Sequence, residues 1–171
     1  MMLTASTRRQ TFYAIELAKP SLAWILSAKA SELCQFLGYH RIGTYKHMSP
    51  SDAKHKQFLF WVVYTLDKSL TLRLGRSSTI QECDITVPTP STDSEGTPVA
   101  NFFYLWVLGS RLQGQIYELL YCPDAIAQPE SVRKSRVQVL EQELAELAAL
   151  TDKETVGNLP TQHITLSFPG V

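Results

Sequence analysis

The sequence predicts an all-α fold, an irregular multi-helix bundle of about four to five helices around a central buried helix at about 50–74. Three observations carry that expectation. Apolar residues recur at three- and four-residue spacings through most of the first 150 positions. Proline and glycine punctuate these runs where helices start and stop. The one alternating apolar stretch, Ile164, Leu166 and Phe168, has no second strand-like run to pair with.

The elements follow in order. Residues 1–18 predict a short helix with Phe12 and Ile15 inward. Pro20 suits the first turn of the next helix and Gly38 its stop, with Leu22, Leu26, Ala30, Leu33 and Leu37 expected on the inner face. The central helix opens at Ser49 as N-cap, with Pro50 in first position and Asp52 at the positive end of the dipole. It is expected to run to about Leu74 and stop at Gly75, apolar almost all round in its middle. The proline-bearing segment 76–98 is expected to cross the surface. Phe102, Leu105, Gly109, Leu112, Ile116 and Leu119 mark a further helix ended by Pro123. Gly109 and Gly114 each cost it about 1 kcal/mol, which close approach of a neighbour would offset. A last helix follows Pro129, with Val137, Leu140, Leu144 and Leu147 on one side. Residues 1–150 thus form one domain, and 151–171 are expected to be a mobile C-terminal tail.

Composition narrows the class. The chain has 171 residues, 44% apolar and 19% charged, and so can bury a core. Its formal net charge is zero, which makes no global case for nucleic acid or an anionic membrane. Cys34, Cys83 and Cys122 are far apart with no CxxC pair, as expected of free thiols in a reducing compartment. No secretory leader and no apolar run of about 18 residues is present, so the expectation is a soluble, intracellular chain.

Asp67 is the residue that asks for an explanation. At 100° per residue it lies within about 60° of Phe60, Val63, Tyr64, Leu70 and Leu74, the centre of an apolar stripe. A buried carboxylate needs partners. The candidates are Arg76 if the chain folds back after Gly75, Arg111, Arg73 (which points away on the same helix), hydroxyls, or the backbone of the 76–90 loop. Arg76 has an alternative partner in Asp84. A structural latch is the preferred role; a lone acid without a nearby His, Ser or second carboxylate is poor catalytic evidence.

Three blocks of sequence now fall together. They are Leu37, Gly38, His40 and Arg41; then Phe60, Trp61, Tyr64, Leu66, Asp67, Lys68, Leu70, Leu74, Gly75 and Arg76; then Asp84, Ile85, Val87, Pro88 and Pro90. In this order and spacing they resemble the fungal-specific transcription factor domain, the middle homology region of fungal binuclear-zinc-cluster regulators. The resemblance covers about residues 30–90. It implies an all-α, non-enzymatic regulatory domain acting in the nucleus through conformational, protein-partner or small-molecule effector contacts. It marks Arg41, Trp61, Tyr64, Asp67, Gly75, Arg76 and Asp84 as family-motif residues, with Asp67 and Arg76 as latches. The family's six-cysteine zinc cluster has no counterpart here, so no cofactor or metal is expected in this chain, and DNA would be reached only through a module outside it. The family's usual proline after the Gly-Arg pair is Ser77 here. Family domains usually start earlier and continue into helices beyond about residue 150, so a truncated domain is part of the expectation. The alternative is a stand-alone helical interaction module, pairing with a full-length relative, or a small-molecule-sensing domain without DNA-binding activity of its own.

Other candidates have plainer readings. His40, His47 and His55 lack the regular spacing of a metal site and read as surface histidines. Lys46, His47, Lys54, His55 and Lys56 read as a solvated helix start. Trp61, Phe102, Phe103, Tyr104 and Trp106 read as core, with a ligand pocket between helices as the sharper reading.

Overall fold

A computed structural model describes residues 2–16, 19–91 and 98–158. Among these the structure is all-α, with no strand. Six α-helices follow in order: α1 (Met2–Glu16), α2 (Pro20–Phe36), α3 (Pro50–Leu74), α4 (Pro98–Ile116), the single-turn α5 (Pro123–Ile126) and α6 (Glu130–Asn158). Short 3-10 turns lie at Ile42–Tyr45 and Glu82–Asp84, and a π-helical turn at Tyr117–Tyr121 ends α4. α1 packs on α2, α2 and α4 on α3, and α6 on α4.

The local chemistry of α3 explains its bounds. Ser49 Oγ accepts the Asp52 amide at 3.1 Å, and Pro50 fills the first turn. Gly75 closes the helix in the left-handed region at φ 62°, and the Arg76 amide returns to the Thr71 carbonyl at 3.0 Å. Leu59 through Lys68 are buried without interruption. No single face of this helix is wet through its middle, as befits a rod with neighbours on several sides.

Its neighbours meet it through small residues. α2 buries Ala23, Ser27, Ala30, Ser31 and Cys34. This corrects the expected inner face: Leu22 and Leu37 are exposed, and Leu26 and Leu33 are half-buried. The two stripes differ by about 100°, one residue on the wheel. The smaller one wins because Phe60, Trp61 and Tyr64 of α3 already fill the space, leaving room for Ala30 and Cys34 in the same cluster. α1 behaves likewise, with Thr11 and Ala14 buried and Phe12 exposed, against expectation; Ile15 packs beside Ala14. On α4, Asn101, Val107, Ser110 and Leu112 are buried, whereas Phe102 is exposed.

The two helical glycines of α4 are not alike. A Cβ at Gly114 would sit 3.0 Å from Lys68 Cδ, so this glycine gives α3 its close approach. A Cβ at Gly109 would meet only Leu147 Cδ2 at an ordinary 3.7 Å.

Two boundaries also differ from expectation. α6 continues to Asn158, past Leu150, because helix needs no apolar period once its exposed face is polar. Residues 159–171, including Ile164, Leu166 and Phe168, lie outside the described residues. The segment 76–91 does not merely cross the surface: Ile80 and Val87 are buried in the core.

Candidate functional site

The segment 76–91 is a strap that returns from the end of α3 along the helix it has just left. Its amino-acid sequence explains how. Gly75 reverses the chain, and Ser77, Ser78 and Thr79 follow with three hydroxyls. Two of these hydroxyls and two backbone amides converge on Asp67. Ser78 Oγ donates to Oδ2, and Thr79 Oγ1 donates to Oδ1 at 2.6 Å. The Thr79 amide donates to Oδ1 at 3.2 Å and the Ile80 amide to Oδ2 at 3.4 Å. Asp67 is 1% exposed, so its charge is met by four donors in place of water. Neither Arg76 nor Arg111 bonds it, which corrects the arginine alternatives.

The next residue of α3 does the complementary job. Lys68 is fully buried; its Nζ donates to the Ile80 carbonyl at 2.9 Å and lies 3.3 Å from Glu82 Oε1. Tyr64 Oη donates to the same Oε1 at 2.5 Å, and Arg111 Nε of α4 stands 3.5 Å from Oε2. Glu82 therefore joins α3, the strap and α4. Ile80 is gripped at both ends of its backbone, by Asp67 at the amide and Lys68 at the carbonyl.

The remaining motif residues are placed along the same strap. Arg76 stacks over the Trp24 ring of α2, 4.4 Å from its centroid, and does not pair with Asp84. Asp84 instead accepts from Arg41 Nη2 at 2.8 Å, which links the first and third sequence blocks. The His40 carbonyl accepts the Thr86 and Val87 amides at 2.9 and 3.1 Å. Trp61 Nε1 donates to the Pro88 carbonyl at 3.1 Å. Thr89 Oγ1 accepts from Arg111 Nη2 at 3.3 Å. Arg41, Trp61, Tyr64, Asp67, Gly75, Arg76 and Asp84 thus meet along one strap. Lys68, already in the second sequence block, completes it together with Ser78, Thr79, Glu82 and Trp24, which were not singled out from sequence. A serine–threonine run directly after a helix-ending Gly-Arg was the signal for Ser78 and Thr79.

Burial shifts several groups in and around the core. Burial, then the Glu82 bond, pushes the Tyr64 phenol well above its ordinary value. Burial raises Tyr45 likewise and lifts the Cys34 thiol to about 12. His40 is lowered, chiefly by burial and then by Arg41, with Asp84 opposing. These shifts keep phenol, thiol and imidazole neutral.

Beside the strap's far end lies an open apolar groove of about 490 Å3. Phe58, Trp61, Phe103, Pro88 and Pro90 line it, together with Lys54. Of the aromatic residues considered for a pocket, Trp61 and Phe103 line this groove, and Phe102, Tyr104 and Trp106 do not. Among the described residues no group of three or more His, Cys, Asp or Glu is placed to hold a metal. The three free cysteines, one of them buried, do not fit a six-cysteine zinc cluster. No helix among the described residues is long and apolar enough to cross a membrane.

Comparison with known proteins agrees with this picture. The profile of the fungal specific transcription factor domain matches residues 10–148. An ABC-transporter-regulating transcription factor of Aspergillus oryzae is 27% identical over 137 residues, 74% of this chain and 15% of that protein. A transcription factor of the same description from Aspergillus fumigatus is 27% identical over 135 residues, 73% of this chain and 15% of that protein. An uncharacterized transcriptional regulatory protein of Schizosaccharomyces pombe is 28% identical over 120 residues, 64% of this chain and 16% of that protein. The chain therefore spans about 15% of the length of the two Aspergillus relatives. No solved structure matches at a significant level.

Proposed function

The chain belongs to the fungal-specific transcription factor domain family, whose members here are transcription regulators and not enzymes, and from that premise we propose that it is the regulatory region of a fungal transcription factor, acting in the nucleus. The match over residues 10–148 carries this reading. In it the chain reads no DNA itself; a module elsewhere in a longer protein does so. The strap gives a physical route for regulation. Because it ties α2, α3 and α4 together through partnered polar groups, it moves with all of them or comes free as a unit. A partner or effector that favours one state biases how the attached module is presented.

The test joins the chain to an unrelated DNA-binding module over a reporter gene. The expected result is a change in reporter output relative to the module alone, lost when Asp67→Asn loosens the strap. Output identical to the module alone, from a folded fusion present in the nucleus, would contradict the proposal.

The groove favours a second reading, in which the effector is a small amphipathic molecule. Its aromatic floor suits an apolar body and Lys54 a negative end, while the Trp61–Pro88 bond connects the floor to the strap. Thermal-shift screening with fatty acids and aromatic acids tests it. A stabilisation that Phe103→Ala removes is expected; no shift with either class counts against it.

A further inference from the structure

α2 is turned inside out for a surface helix. Its fully buried positions are alanine, serine and cysteine, Trp24, Leu26 and Leu33 are half-buried, and on its outer face Phe36 is 87% exposed and Ile25 51%. Between them, on the same face, stand Lys29 and Glu32, paired at 2.7 Å with 63% and 58% of their side chains exposed. On a wheel these four lie within about 60° of each other. Their order along the axis is apolar, positive, negative, apolar. Lys29 and Glu32 lie equally far on either side of the 30–31 peptide, and so do Ile25 and Phe36.

That pattern is its own complement. If a second copy of α2 is laid antiparallel across this face, with a two-fold axis at the 30–31 peptide, Ile25 meets the second copy's Phe36 and Lys29 meets its Glu32, and each contact occurs twice. The separation of Ile25 and Phe36, about 16 Å or three turns, keeps both on the contact line. A partner of unrelated sequence gives no reason for such symmetry. We propose that the exposed face of α2 is a self-association surface, which pairs two copies of this chain as an antiparallel, isologous helix dimer. Lys29 and Glu32 fix its register, and Phe36 and Ile25 supply the apolar burial. One helix face is smaller than a standard interface, so the dimer is weak and exchanges readily.

The symmetry makes a strict test. Sedimentation of the full chain, from low micromolar to several hundred micromolar, is expected to show a monomer–dimer equilibrium. Lys29→Glu places like charges opposite one another at both crossings, and so does Glu32→Lys; each variant alone is expected to associate about tenfold more weakly or worse. Mixed together, the two variants restore both opposite-charge contacts, so dimer returns as the mixed species. Both residues are exposed, and unchanged circular-dichroism melts verify that the monomer fold is kept. Phe36→Ser is expected to abolish association in every combination. A wild-type chain that stays monomeric throughout, a dimer indifferent to the single charge changes, or a mixture that remains monomeric would each overturn the proposal.

Discussion

α3 and α6 are the two longest helices, and they solve opposite problems. α3 is buried through ten successive residues and carries an acid and a lysine inside. α6 lies against α4 with Leu140 as its one buried large residue among those described, and with Leu144 55% exposed. The buried charges of α3, Asp67 and Lys68, are specified atom by atom, whereas most charge in α6 faces water, Arg136, which donates to the Leu119 carbonyl, being the exception. The same residue types therefore have very different leverage in the two helices.

That contrast can be broken most easily at Asp67. Asp67→Ala takes the acceptor from the Thr79 hydroxyl and amide and leaves Ser78 Oγ and the Ile80 amide only their weaker local partners, and is expected to cost about 3 kcal/mol or more in urea melts. A cost under about 1 kcal/mol would mean that the strap's donors find water instead.

Tyr64→Phe removes one donor from Glu82 while Lys68 and Arg111 remain, so a cost of about 1–2 kcal/mol is expected by the same melts. Equal costs for Tyr64→Phe and Asp67→Ala would erase the distinction between a hub that keeps other donors and a carboxylate on which four donors converge.

The glycines of α4 sharpen the comparison because one faces each long helix. Gly109→Ala, towards α6, has room for its Cβ and is expected to stabilise by about 0.5–1 kcal/mol through helix propensity. Gly114→Ala, towards α3, must displace the buried Lys68 and is expected to gain nothing or to destabilise. Calorimetric melts showing both variants stabilised alike would contradict the tight fit around Lys68.

His40 gives a pH-dependent reading of the strap. Its folded pKa lies below the ordinary 6.5, so the unfolded chain binds more protons on acidification. Stability from this residue is complete above pH 6.5 and declines as pH falls through the folded value. The melting temperature is expected to drop modestly between pH 7 and pH 5, and less so in His40→Gln. An identical pH profile in that variant would remove His40 from the account.

At the small end, Lys134→Ala breaks an exposed pair with Glu130 on α6 and is expected to change stability by no more than about 0.5 kcal/mol. A loss comparable to that of Tyr64→Phe would show that α6 is not the lightly held helix described.

How much of this was legible follows the same division. The bounds of α3 were readable because Ser49, Pro50 and Gly75 each act locally, through a cap, a fixed φ and a left-handed stop. The burial of Asp67 was readable from its place on the wheel. Its partners were not, because they depend on how the chain turns after Gly75, and an arginine or a hydroxyl run satisfies the same electrostatic need. The inner face of α2 was misread for a different reason. Period alone favours the leucine stripe, but close packing against the aromatics of α3 selects the neighbouring stripe of Ala23, Ser27, Ala30 and Cys34. The outer bulk this leaves at Ile25 and Phe36 is what the self-association proposal uses.

The measurement closest to the central claim is amide hydrogen exchange at Thr79 and Ile80 in the wild-type chain and in Asp67→Asn. Both amides are expected to exchange slowly in the wild type, since they donate to a buried carboxylate, and to lose that protection in the variant while Val63 and Tyr64 in the middle of α3 keep theirs. Fast exchange at Thr79 and Ile80 in the wild type, or protection unchanged by Asp67→Asn, would show that the strap is held by something other than the carboxylate beneath it.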